Sequence, residues 1–308
     1  MGKLLAGAAT DTGRVREHNE DVFFLAEMDS AQVATRGFLL AVADGMGGHE
    51  RGEVASQLAI EALFGSFYNG ATDGATDGAT GMTGTDLVAA LQHGFKQANE
   101  RIIAEAVNGG GGGGSMGTTM VAAAIIGDNL TIANVGDSRA YLVRADAATQ
   151  ITRDHSLVAE QVAGGVMTAE EARTSNYRNI ITRALGHRPK VEVDIFEITL
   201  LPDDRIILCS DGVHGSVEAE DVATLVLAKA PQEASQALID LALEQGSTDN
   251  VTAAVISFEP ATVAVAEREE ELVGAGGRGL SPVALLLFLI VAIAVILGVI
   301  YLSTIYFG

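Results

Sequence analysis

Asp44 stands at the end of a run of small apolar residues in LLAVADGMGGHERG, Leu39 to Gly52, with glycines at 45, 47 and 48 behind it. A carboxylate in such a place is expensive unless water, a hydrogen bond or a cation takes up its charge. Asp-Gly is also ordinary turn chemistry, and the chain carries its own controls. Asp73-Gly74 and Asp77-Gly78 lie in a polar repeat with no apolar run before either acid. What sets Asp44 apart is recurrence. Glu20 and Asp21 stand immediately before an apolar run in VREHNEDVFF, and Asp211 ends one in IILCSDGVHG. Asp249 precedes one in GSTDNVTAAVISF, and Asp137 occupies the corner between two in ANVGDSRAYL.

Gathered in one cleft, these acids repel one another, and divalent cations remove that repulsion. Ligands that are all oxygen select hard ions, Mg²⁺ or Mn²⁺, over Zn²⁺, and the six histidines show no pair of zinc-type spacing. Two such ions hold and deprotonate a water for in-line attack on phosphorus. Arg16, just past GRV, is then the fork that grips the phosphate. Histidine as a residue type changes charge near neutrality, which makes His49 a candidate proton donor to the leaving seryl oxygen; the alternative is a solvated loop histidine. Cys209 is no thiol nucleophile of the phosphatase kind, because Gly215 stands where that chemistry needs an arginine, and it reads as a core strand residue. The glycine run 109–114 follows a helical pattern and marks no dinucleotide site.

To converge, the acids need strands that end together. Apolar, β-rich runs occur at 22–26, 37–43, 118–126, 130–135, 139–144, 191–200, 204–210 and 250–258, with Gly127-Asp128-Asn129 reading as a hairpin. Helical periodicity covers Glu53–Tyr68 and Thr85–Val107; in the second, Leu87, Leu91, Phe95, Ala98 and Ile102 share one face. Two shorter helices are expected over about 218–228 and 232–244. Strands in antiparallel-style succession with helices grouped between them indicate an α+β layered domain over 1–258.

GRVREHNED, VADGMGGH, MGTT, VGDSRAY, LCSDGV and TDNVT follow one another in the order found in the metal-dependent protein phosphatases of type 2C, and over about residues 6–258 the chain resembles the bacterial branch of that family. The resemblance implies a four-layer α-β-β-α sandwich of two antiparallel sheets, with a binuclear Mn²⁺ or Mg²⁺ centre between them. It implies that Asp44 bridges both ions and that the Gly45 carbonyl binds one. Asp211 and Asp249 then complete the other ion's shell, Glu20 and Asp21 act mainly through water, and Asp137 with Asp211 holds a third, weaker ion. The implied substrates are phosphorylated proteins, in opposition to a Ser/Thr kinase. A non-catalytic phosphoprotein-binding module on the same scaffold is the rival, and an altered metal acid would favour it; every expected acid is present. Segment 154–190, with Arg173, Arg178, Arg183 and Arg188, is expected to form the flap that selects substrates.

The remaining chain sets the cellular context. Residues 259–281 read as a charged, glycine-rich linker, and 282–306 as a transmembrane helix before a two-residue tail, 307–308. From Val283 to Tyr306 there is no charge, and about 20 helical residues cross a hydrocarbon core of roughly 30 Å. Arg268 and Arg278 precede this span and nothing basic follows it, so the catalytic domain is expected in the cytoplasm at the cell membrane. With only Phe307 and Gly308 beyond Tyr306, no extracellular sensor is expected. A single cysteine suits a reducing compartment, and a net charge of −21 with no basic patch argues against nucleic acid as a partner.

Overall fold

The computed structural model describes residues 3–47, 51–69, 83–108 and 116–259, which lie in one compact unit. In chain order the elements are β1 (Lys3–Asp11), β2 (Asp21–Leu25), α1 (Ala31–Arg36), β3 (Phe38–Gly47), α2 (Arg51–Asn69), α3 (Gly84–Asn108) and β4 (Met116–Thr118). There follow β5 (Met120–Ile126), β6 (Asn129–Val135), β7 (Arg139–Arg144), β8 (Ala147–Gln150), α4 (Leu157–Ala163) and α5 (Ala169–Thr174). The last are β9 (Asp194–Thr199), β10 (Arg205–Cys209), α6 (Asp211–His214), α7 (Ala219–Ala228), α8 (Pro231–Glu244) and β11 (Val251–Glu259).

The strands form two antiparallel sheets. One has the order β1-β11-β10-β7-β8; the other runs β2-β3-β5-β6-β9, with β4 paired to β3. Strand alternation assigns the faces, since successive side chains point to opposite sides. Ile206 and Leu208 of β10, Ala140 and Leu142 of β7, and Ala254, Ile256 and Phe258 of β11 share one core with the second sheet and with α2 and α3. Their neighbours Ile207, Cys209, Tyr141, Val143, Ala253 and Val255 face the other way and pack with Val222, Val226, Leu238 and Ile239 of α7 and α8. The result is two sheets back to back between helical layers. The α3 face expected from periodicity is buried throughout, at Leu87, Leu91, Phe95, Ala98 and Ile102.

Several expectations need correction. The N-terminal KLLAGAATD, too rich in glycine and alanine to register as a strand, is β1, held by full antiparallel register with β11 from Lys3↔Glu259 to Asp11↔Val251. The run 118–126 is two strands, broken at Thr119. The run 191–200 contracts to β9, and β8 with the short helices α1, α4, α5 and α6 carries too few residues to show a period. Among the described residues no helix is long and apolar enough to cross a membrane; Glu259, expected to open the linker, closes β11, and the rest of the linker and the expected span 282–306 lie outside the described residues.

Candidate active site

Asp44 was expected at the mouth of a strand, yet β3 continues through it to Gly47. What changes at Asp44 is the partner. Up to Val42, β3 pairs with β5, and from Gly45 it pairs with β4. Thr118 and Thr119 bridge the break: the Asp44 N–H donates to Thr119 Oγ1 at 3.1 Å. The Asp44 carbonyl accepts from Thr119 N–H at 2.9 Å and from Thr118 Oγ1 at 2.8 Å. Thr119 Oγ1 also meets Ser138 Oγ at 2.7 Å, beside Asp137. The aspartate is thus fixed by its backbone, and its side chain is left to the cleft.

Gly45 has a further reason beyond a carbonyl free to face a cation. A Cβ there would lie 2.1 Å from the Gly52 carbonyl oxygen, and one at Gly52 would lie 2.5 Å from a Glu20 carboxylate oxygen. Two facing glycines therefore let the start of α2 settle against β3 and Glu20. The Glu20 carbonyl accepts from Gly45 N–H at 3.1 Å and from Ser56 Oγ at 2.6 Å.

Asp21 is the antiparallel partner of Asp44, so two carboxylates face one another across strands, where like charge destabilises. Asp21 Oδ2 accepts from Ser210 Oγ at 2.7 Å, and Ser210 Oγ in turn accepts from Thr252 N–H at 3.0 Å. The first sheet contributes Asp211, which opens α6 directly after β10, and Asp249, just before β11. Asp137 sits in the β6–β7 corner that joins the sheets. Arg139, two residues on, makes no ion pair with Asp137. Arg139 instead grips Asp154 with Nε at 3.0 Å and Nη2 at 2.7 Å.

The electrostatics report a shared cleft. Burial, then the charges of Asp21, Asp211, Asp137 and Asp249, holds Asp44 well above the usual carboxylate range. Burial likewise pushes Asp21 to about 7, against the hydrogen bond from Ser210. Asp137 is raised to about 7 by burial and then by Asp211. Asp211 is raised to about 6 by burial and the charge of Asp249, while Arg16 and a hydrogen bond with Asp44 pull it back. Burial also raises Glu20. Arg16 loses hydration, but its 2.7 Å pair with Asp249 more than restores its charge.

These residues suit hard cations. Asp21 and Asp137, at 5% and 6% exposure, each bury an Oδ1 with no hydrogen-bond partner among the described residues. Such orphaned carboxylate oxygens are costly unless a cation meets them, and every donor in the cleft is oxygen. Among the described residues, though, no three His, Cys, Asp or Glu are drawn into a closed ligand cage. Asp249 is engaged by Arg16 and by the Asn250 N–H, and Asp21 by Ser210.

Of the expected site residues, the fold gathers Asp21, Asp44, Asp137, Asp211 and Asp249, with Glu20, Gly45 and Arg16 at the margin. Arg16, expected as a phosphate fork, is engaged by Asp249. His49 lies outside the described residues. Missed by sequence reasoning were the residues that hold the acids: Ser210, Thr118, Thr119, Asn250 and His214. Asn250 Nδ2 donates to the Thr12 and His18 carbonyls at 2.8 and 2.9 Å, and its Oδ1 accepts from Glu20 N–H at 2.8 Å. His214, its pKa lowered to about 3 by burial, is neutral and donates from Nε2 to the Asp137 carbonyl at 2.9 Å. All five stood inside stretches already singled out, which was the available signal.

Acids converging from both sheets of an antiparallel sandwich, with Arg16 beside them, suit the hydrolysis of a phosphoester. The family model described as Protein phosphatase 2C matches residues 14–240. The serine/threonine phosphatase stp of Listeria innocua is 37% identical over 248 residues, 80% of this chain and 93% of that protein. The solved Mycobacterium tuberculosis serine/threonine phosphatase PstP/Ppp shares 37% identity at a TM-score of 0.70, over 84% of this chain and all of that one. The PstP catalytic domain solved with two manganese ions is similar at 36% identity and a TM-score of 0.65, over 83% of this chain and 99% of that one. The chain belongs to the protein phosphatase 2C family and is a protein-serine/threonine phosphatase.

Proposed function

We propose that the chain hydrolyses phosphoserine and phosphothreonine on proteins with a water activated by two Mn²⁺ or Mg²⁺ ions. The observation that carries this reading is the pair of buried, unpartnered carboxylate oxygens of Asp21 and Asp137 around Asp44. The relative solved with two manganese ions supports the choice of metal. Asp44, the Gly45 carbonyl, Asp211 and Asp249 are the residues that would hold the two ions, with Glu20 and Asp21 acting through water and Asp137 serving a weaker third. When bound, the ions neutralise the acids and lower the pKa of a water for attack.

The chain's own residues do the rest. Thr118 and Thr119 fix the Asp44 backbone, and Ser210 sets the rotamer of Asp21. Arg16, half exposed at the rim, presents the fork geometry that suits a phosphate dianion. Water adds to phosphorus, the bond to the seryl oxygen breaks, and that oxygen takes a proton from His49.

The reading places this active site in the cytoplasm, tethered to the cell membrane by 282–306, in opposition to a Ser/Thr kinase. The uncharged stretch after Pro282 supports the tether. Purified protein with Mn²⁺ should release phosphate from a phosphoserine peptide, and a chelator or Asp44→Ala should abolish it with the fold intact; full turnover in the chelator would refute the metal chemistry. A reporter active only outside the cytoplasm, fused after Gly308, should be active; silence there, with activity when fused before Lys3, would reverse the topology.

A further inference from the structure

A cavity of about 530 Å³ opens between Met46 on β3, two residues beyond Asp44, and the segment after Ile181. Arg183, Arg188, Lys190, Glu160 and Glu192 supply its charged lining. Arg183 is already committed, at 2.6 Å from Asp194 and 3.9 Å from Glu192. That leaves Arg188 and Lys190, both exposed and with no side-chain ion pair or hydrogen bond among the described residues, against Glu160. The local sequence is unusual for this chain. Residues 172–191 hold five of its 19 lysines and arginines and no acid, although the net charge is −21.

This wall is rigidly placed. Leu185 bridges Thr118 through hydrogen bonds of 3.1 and 2.9 Å, which ties the segment to β4 and so to β3. Gly117 allows the close approach: a Cβ there would lie 2.5 Å from the His187 ring. From α3, the buried Asn99 accepts from Gly186 N–H at 2.8 Å and donates to the Arg188 carbonyl at 2.9 Å. Met46 is two residues beyond Asp44 on the same strand, about 7 Å along it. An extended peptide covers that distance in about two residues, and four residues reach about 14 Å, past Met46 to the far wall.

We propose that Arg188 and Lys190 form a subsite for an anionic side chain, a carboxylate or a second phosphate, two to four residues from the phosphoresidue being cleaved. The subsite rests on the phosphatase reading above and deepens it: the substrates are phosphoproteins acidic around the modified residue.

The test uses the purified full chain with Mn²⁺ and non-hydrolysable phosphonate peptides that differ only at those flanking positions, carrying Ala, Glu, phosphoserine or Lys. The Glu and phosphoserine peptides should bind about tenfold more tightly than the Ala peptide, the scale of two partly exposed ion pairs, and the tighter of the two names the natural anion. In Arg188→Glu with Lys190→Glu the order should invert, with the Lys peptide tightest. Equal affinities in the unaltered chain, or an acidic preference that survives the charge reversal, would overturn the subsite. Turnover of p-nitrophenyl phosphate judges the other layer: its absence sinks the phosphatase reading, while the peptide affinities still decide the subsite.

Discussion

The chain contains two Asp-Asn corners that begin strands, and they do opposite things. Asp128-Asn129 closes a hairpin on itself: Asn129 Nδ2 reaches Asp128 Oδ1 at 3.4 Å, and both residues are exposed. Asp249-Asn250 faces inward. Asn250 is 6% exposed and stitches the start of β11 to the Thr12, His18 and Glu20 backbone, while Asp249 meets Arg16. The dipeptide has the same local chemistry in both places. What differs is what surrounds it: a two-strand turn in water, or a seam where the β1–β2 connection crosses the end of the first sheet.

The widest gap between the corners should appear in turnover. Asp249→Ala should lower kcat/KM on a phosphopeptide by about 10³-fold, the several kcal/mol that metal-held chemistry supplies, and Asp128→Ala should leave it within about twofold; equal losses would dissolve the contrast. A third corner aspartate sharpens it. Asp137→Ala should cost on the order of 10² in rate while calorimetric titration still finds two tightly bound Mn²⁺; unchanged kinetics would return Asp137 to the class of Asp128.

Stability separates the asparagines. Asn250→Ala strands three backbone groups and should cost about 2 kcal/mol, or roughly 4–8 °C in Tm, whereas Asn129→Ala should stay within about 0.5 kcal/mol; thermal unfolding of both variants decides this.

A further contrast is a pH slope in metal-free protein. Asp21 and Asp137, raised to about 7, and Asp211, raised to about 6, keep protons in the folded chain that the unfolded chain has lost above about pH 4. The folded state therefore binds more protons across that window, and stability should fall as pH rises from about 4 to 7. Mn²⁺ should flatten the slope, and Asp21→Asn should reduce it; Tm rising with pH in a chelator would contradict the shared, buried cleft.

These contrasts also mark what the sequence made legible. Each cleft acid was marked by an apolar run on one side, because a strand end is a local pattern. The long helices and most strands were legible for the same reason. Cys209 was read correctly as core, and its thiol is pushed to about 12 by burial. The contacts by which neighbouring motif residues hold the acids were not legible, since Ser210 touches Asp21 across 189 positions and Asn250 touches Thr12 across 238. No window of sequence contains such pairs. β1 escaped for a related reason: its alanines and glycine have little strand preference of their own, and β11 supplies the ladder.

That pairing of the first strand with the last governs when the enzyme can exist. The second sheet has all its strands once the chain has been made as far as Thr199, but β1 must wait for a partner that ends at Glu259. Contacts so distant in sequence form late and slowly. Asp249 arrives with that final strand, so a ribosome-bound chain lacks a complete set of acids until nearly the whole domain has emerged. Until then the Asp249 carboxylate has no place beside Asp44 and Asp211.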